Sequence, residues 1–122
     1  MADEFQRVAT QEISSELEKL QIALGQRKKD NDVLKNSDEI KEPLHKIKGL
    51  APMMGKEDLG DMASTCEAII AQFSKGGINS DCINFLEDAS IQMTRSFLGT
   101  DIDCMTKFRS LVLAKFPGLQ GI

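Results

Sequence analysis

Tryptophan and tyrosine are absent from the 122 residues, and six phenylalanines carry almost all the aromatic content. A core built from this chain is therefore mostly aliphatic, with methionine filling gaps. Cysteine is scarce: Cys66, Cys82 and Cys104 give an odd number at wide spacing, neither a disulfide framework nor a CxxC metal pair. Reduced thiols packed as small apolar residues are the expectation. With one histidine in the chain they make a poor zinc set, and no metal site is expected. No apolar run approaches a membrane span. No Lys/Arg stripe alternates with aromatic residues, and the net charge is -4, which argues against nucleic-acid binding. The opening Met-Ala-Asp-Glu-Phe lacks the basic start and apolar run of a signal peptide, so a cytoplasmic location is expected. No GxxxxGK[ST] loop or kinase ATP-binding box is visible.

What remains is an ordinary soluble composition, 41% apolar and 28% charged, and a length that favours one domain over residues 1–122. Its periodicity is helical throughout. The first helix is expected over 3–25, with Phe5, Val8, Glu12, Leu17, Leu20 and Leu24 stepping by three to five and Ile13 on the same broad face. Gly25 suits its end, and Arg27, Lys28 and Lys29 read as a solvated turn. A loop follows, with one helical turn around Val33 and Leu34 as an option, and Asn36 or Ser37 available to cap the next helix.

The second helix is expected over 38–54, with Ile40, Leu44, Ile47, Ala51 and Met54 on one face. Lys41, His45, Lys48, Gly49 and Pro52 fall on the other. Pro43 fits an early turn, and Pro52 should kink or end the helix. Gly55 supplies a stop. A third helix over 56–74 buries Leu59, Met62, Ala63, Cys66, Ile69, Ile70 and Phe73, with Glu67 on its flank beside the small residues Gly60 and Ser64. Lys75-Gly76-Gly77 terminates it. A fourth over 80–98, capped by Asn79 or Ser80, turns Ile83, Leu86, Met93 and Phe97 inward and breaks at Gly99. A fifth over 102–116 buries Met105, Phe108, Leu111 and Val112 and ends at Pro117. The fold class is all-α: an antiparallel up-down four-helix bundle with an additional fifth C-terminal helix.

The chemistry concentrates at His45. It lies opposite the apolar stripe, so it is not a core histidine. Lys48 is one turn later on the same side. Gly49 and Pro52 leave the ring unshielded. An imidazole nitrogen can act as a nucleophile toward a phosphoryl group. That needs a neutral ring with the correct nitrogen free, which a hydrogen bond from the other N–H usually sets. Glu67 on the next helix is the candidate acceptor. Taken alone it is equally readable as a solvated helix-face glutamate.

The run His45-x-x-Lys48-Gly49, then Gly55, Leu59 and Glu67, resembles the histidine phosphotransfer domain. The nearest pattern is the phosphorylatable amino-terminal domain of chemotaxis-type histidine kinases. The resemblance is sharp over residues 40–70 and topological elsewhere. It implies that His45 is the phospho-accepting residue, modified on Nε2. It implies that Glu67 holds Nδ1–H, that Lys48 neutralises phosphoryl charge, and that Gly49 lets a partner approach. Two departures stand out. Ser64 occupies a position where some chemotaxis-type domains carry a second histidine, and Pro52-Met53-Met54 replaces small residues. Lys41, Gly49, Pro52, Met53, Gly60 and Ser64 are the expected partner-binding positions, with Met54 in the core.

The implied function is a phosphorelay carrier, not an enzyme on its own. Kinase activity would exist only if the chain were part of a larger chemotaxis-type kinase, and the sequence leaves that open. Expected partners are a response-regulator receiver domain and a histidine kinase catalytic domain, which would supply Mg²⁺. The chain itself needs no cofactor, and a monomer is expected. The rival from another class is a non-phosphorylated helical adaptor that binds receiver or kinase domains through the same face. A bundle holding a metal or haem would need several inward donors, whereas His45 points outward.

Overall fold

The computed structural model describes residues 2–30, 38–73 and 80–118. Every regular element among them is helical: α1 (Ala2–Asp30), α2 (Asp38–Leu50), a 3₁₀ turn (Pro52–Met54), α3 (Glu57–Phe73), α4 (Ser80–Leu98) and α5 (Cys104–Lys115). Helix α2 packs against α1 on one side and α3 on the other. Helix α4 touches both α1 and α3, and α5 lies mainly on α4. No described helix is long and apolar enough to cross a membrane.

Glycine and proline set most of the described ends. Gly55 takes φ 77° and Gly99 takes φ 69°. Each closes its helix with the same pair of backbone bonds. Gly55 N–H donates to the Pro52 carbonyl at 3.0 Å and Lys56 N–H to Ala51 at 2.9 Å; Gly99 N–H donates to Ser96 and Thr100 N–H to Arg95, both at 3.2 Å. This is the Schellman pattern, which satisfies the last carbonyls through a left-handed residue. Gly25 behaves otherwise. Helix α1 runs on through it to Asp30, so Arg27, Lys28 and Lys29 have helical backbone in place of the expected turn. Gln, Arg and Lys are good helix formers, and a glycine permits a stop without requiring one.

Helix α2 stops at Leu50, short of the expected 54, and the chain tightens into the 3₁₀ turn. Pro52 has no N–H to offer the Lys48 carbonyl, which ends the α-helical ladder there. Pro43 is inside α2 and buried, beyond its first turn, so the Glu39 carbonyl loses its helical donor. Helix α5 begins at Cys104, not 102, because the Asp101 side chain accepts the Asp103 N–H at 2.9 Å, a local turn that competes with helix. The expected features at Val33, Leu34, Asn36, Ser37, Lys75–Gly77 and Asn79, and the Phe73 side chain, lie outside the described residues.

The core is one continuous aliphatic cluster. Ile40, Leu44, Ile47 and Ala51 of the α2 segment are fully buried, as its two-faced pattern predicts, and Met54 is packed against them. Burying each of the three large ones contributes about 1.5–3 kcal/mol, which fixes the rotation of α2 about its axis. From α3 come Leu59, Met62, Ala63, Cys66, Ile69 and Ile70, and all three cysteines are free and buried. Phe85 anchors α5, with Phe116 edge-on at 5.1 Å and Phe108 tilted at 6.2 Å. On α1 the buried stripe is Ala9, Ile13, Leu17, Leu20, Ala23 and Leu24, joined by the carboxylate Glu16. Phe5 and Val8 are exposed, contrary to expectation. At 100° per residue Val8 lies about 140° from Ile13, off the stripe, and Phe5 lies at its edge.

Candidate functional site

The α2–α3 seam carries the expected cluster. His45 is on the α2 face opposite Ile40, Leu44 and Ile47, and its side chain is 73% exposed. Glu67 reaches across from α3. Its Oε2 lies 3.5 Å from His45 Nδ1, and its Oε1 lies 3.3 Å from Lys48 Nζ. One half-buried carboxylate therefore faces both the ring and the cation. The histidine contact is at the long limit of a hydrogen bond. It engages Nδ1, and Nε2 on the opposite edge of the ring is not the atom facing the carboxylate.

Glu67 Oε1 is buried and has no aligned hydrogen-bond donor among the described residues. The Lys48 approach is thus a charge contact without hydrogen-bond geometry. Lys48, one turn after His45 on the same side as expected, rests on Glu67.

The expected partner-contact positions divide. Lys41, Gly49, Pro52, Met53 and Ser64 are exposed, and Met53 is 65% accessible. A Cβ on Gly49 would meet nothing within 4 Å, so the helix tolerates a glycine there that its own packing does not need. Gly60 is different. It is buried, and a Cβ there would lie 2.9 Å from Pro52 Cγ. Its smallness serves the contact between α3 and the turn, and it has no surface to offer a partner. Lys41, Glu42, His45, Lys46 and Glu67 line a shallow concavity beside the ring.

Cys66 precedes Glu67 in α3 and is fully buried. Burial, then the neighbouring Cys82 and Glu67, push its thiol above the usual cysteine range. Cys66 is packed in the core as a small apolar side chain. Among the described residues no group of three or more His, Cys, Asp or Glu side chains could hold a metal ion.

Glu16 was missed as a special residue. It sits in the α1 core stripe with its side chain 1% exposed, paired with Lys19 at 3.3 Å and Lys46 of α2 at 3.6 Å. Its position three residues after Ile13 and four before Leu20 is the signal that would have found it. No family model, curated protein or solved structure matches this chain.

Proposed function

We propose that the chain is a phosphohistidine carrier of the phosphorelay type, in which His45 accepts a phosphoryl group and passes it to a receiver aspartate. The observation that carries this reading is Glu67 facing Nδ1 of an exposed imidazole at 3.5 Å. A carboxylate at Nδ1 favours the tautomer with its proton there, leaving the Nε2 lone pair free. That lone pair attacks phosphorus. The P–O bond to the donor breaks, its electron pair leaves with the donor oxygen, and the Nδ1 proton stays opposite Glu67. The new N–P bond is later attacked by an aspartate oxygen of the next partner, returning the electron pair to Nε2. In this reading Lys48, which rests on Glu67 at 3.3 Å, leaves it to meet the phosphoryl oxygens. Mg²⁺ and the acidic pocket belong to the partner domain.

The same reading takes α1–α4 as an antiparallel up-down bundle with α5 added. Two facts support it. The contacts run in a ring, α1 to α2 to α3 to α4 and back to α1. The pairing also runs in opposite directions on α2 and α3: the Lys48 carbonyl lies beside Gly60, while the earlier residue His45 faces the later residue Glu67.

The test is incubation with a histidine kinase and radiolabelled ATP. Acid-labile, base-stable label on the wild type and none on His45→Gln is the expected result. Label retained by His45→Gln overturns the assignment. Receiver binding without any label on the wild type is the result the adaptor reading predicts.

A further inference from the structure

The α2 end and the α3 start meet through a proline and a glycine. A Cβ on Gly60 would lie 2.9 Å from Pro52 Cγ, 3.0 Å from Pro52 Cδ and 3.7 Å from the Lys48 carbonyl oxygen. The proline ring cannot swing aside as a flexible side chain can. Its Cδ is bonded to the backbone nitrogen, so moving the ring moves the turn. The turn is tied elsewhere too. Lys56 N–H donates to the Ala51 carbonyl at 2.9 Å, and Lys56 Nζ donates to the Phe97 carbonyl of α4 at 3.1 Å, with the ammonium 5.6 Å from the Phe97 ring centre. Pro52 is thus a rigid block between an anchored turn and the backbone of α3.

The register connects this block to the imidazole. His45 lies seven residues before Pro52, and Glu67 lies seven after Gly60. The seven residues in α3 are two helical turns, about 10.5 Å of rise, and the seven from His45 run along the rest of α2 into the 3₁₀ turn, so both pairs lie on one seam. We propose that Pro52 seated on Gly60 is a spacer that sets the α2–α3 separation at which Glu67 faces His45, making both of them positioning residues for the ring. Its consequence for phosphoryl transfer rests on His45 being the acceptor; its geometric content does not.

A methyl group on Gly60 has no room while the proline ring is there, so it pries the turn from α3. The His45–Glu67 contact, already long, then opens. Removing the ring gives the methyl group its space back. The experiment is nitrogen-15 NMR of the His45 ring in the 122-residue chain, with the phosphorylation rate measured in parallel. Wild type is expected to hold the neutral ring mainly as the Nδ1–H tautomer. Gly60→Ala is expected to shift it toward the Nε2–H form that a free imidazole prefers, and to slow phosphoryl acceptance about tenfold, as a displaced reacting group does. Pro52→Ala combined with Gly60→Ala is expected to restore both readings, a recovery that simple loss of packing would not give.

An unchanged tautomer in a folded Gly60→Ala chain overturns the spacer, as does a folded double variant that fails to recover. If Gly60→Ala does not fold, the double variant decides: wild-type tautomer supports the spacer, and a free-imidazole tautomer overturns it. A wild type that takes no label, yet shows the tautomer shift on Gly60→Ala, overturns the acceptor reading and leaves the spacer standing.

Discussion

On its α1 side, α2 meets Glu16; on its α3 side it meets Glu67. Each carboxylate has two basic partners, Lys19 and Lys46 for Glu16, His45 and Lys48 for Glu67. Burial and partner chemistry separate them. Glu16 is 1% exposed, and both of its partners are lysines. Glu67 is 24% exposed, and one partner is an imidazole, whose second nitrogen can act as a nucleophile. The first arrangement is closed and suits holding α1 to α2. The second is open: the His45 side chain is 73% exposed and only its Nδ1 faces the carboxylate. A carboxylate between two bases is therefore no signature of a site by itself; the imidazole and the exposure make the difference.

The sharpest way to break this contrast is to strip the lysines from Glu16. Lys19→Ala with Lys46→Ala leaves a buried carboxylate unpaired and should cost about 2–3 kcal/mol in chemical denaturation, while Glu16→Leu should lie within about 1 kcal/mol of wild type or above it. A silent double lysine variant would show that Glu16 does not depend on them. The reciprocal change, Glu67→Gln, should alter stability by less than about 1 kcal/mol. It should slow phosphoryl acceptance about ten- to a hundredfold through loss of ring orientation. Equal effects of the two glutamates on acceptance would erase the distinction.

Two glycines sharpen it further. Gly25 and Gly49 are both helical and both have open space where a Cβ would go. Alanine at either should raise stability by up to about 1 kcal/mol. Gly25→Ala should leave transfer to a receiver untouched, whereas Gly49→Ala should slow it severalfold by filling the approach to His45. Loss of transfer in neither variant would remove the need for a low surface beside the ring.

The smallest effect concerns a third carboxylate, Asp101. Lys107 donates to it at 2.6 Å and Arg95 lies 4.0 Å away. The Lys107 hydrogen bond, then the Asp103 N–H, hold its carboxyl below the usual aspartate range. A depressed folded value means the contribution is present above the unfolded value near 3.9 and disappears as pH falls through the folded one. Thermal melts of wild type and Asp101→Asn should therefore differ slightly at pH 6 and converge at strongly acidic pH. A gap that widens on acidification would contradict this sign.

Much of the α2–α3 seam was legible in the residues. Ile40, Leu44, Ile47 and Ala51 repeat at helical spacing, so the face carrying His45 follows from geometry alone. Gly55 could be read as a stop because Pro52 breaks the helical ladder just before it, and Gly99 because Thr100 and Asp101 follow it. Gly25 misled because Gln26, Arg27, Lys28 and Lys29 all favour helix, and a glycine cannot overrule its neighbours. Glu16 is legible only through its spacing, three residues after Ile13 and four before Leu20, because a helix glutamate is ordinarily solvated. The seating of Pro52 on Gly60 was invisible for a different reason. It depends on how closely two helices approach, which one-dimensional periodicity does not carry, and so Gly60 read as open surface when it is covered.

The central claim is that the His45 ring takes the phosphoryl group on the nitrogen that does not face Glu67. Phosphorus-31 NMR of the phosphorylated chain, labelled with nitrogen-15 in the histidine ring, reads this directly. A single phosphoramidate signal coupled to Nε2 of His45 is the predicted result. Coupling to Nδ1, or phosphate on any other residue, contradicts the account.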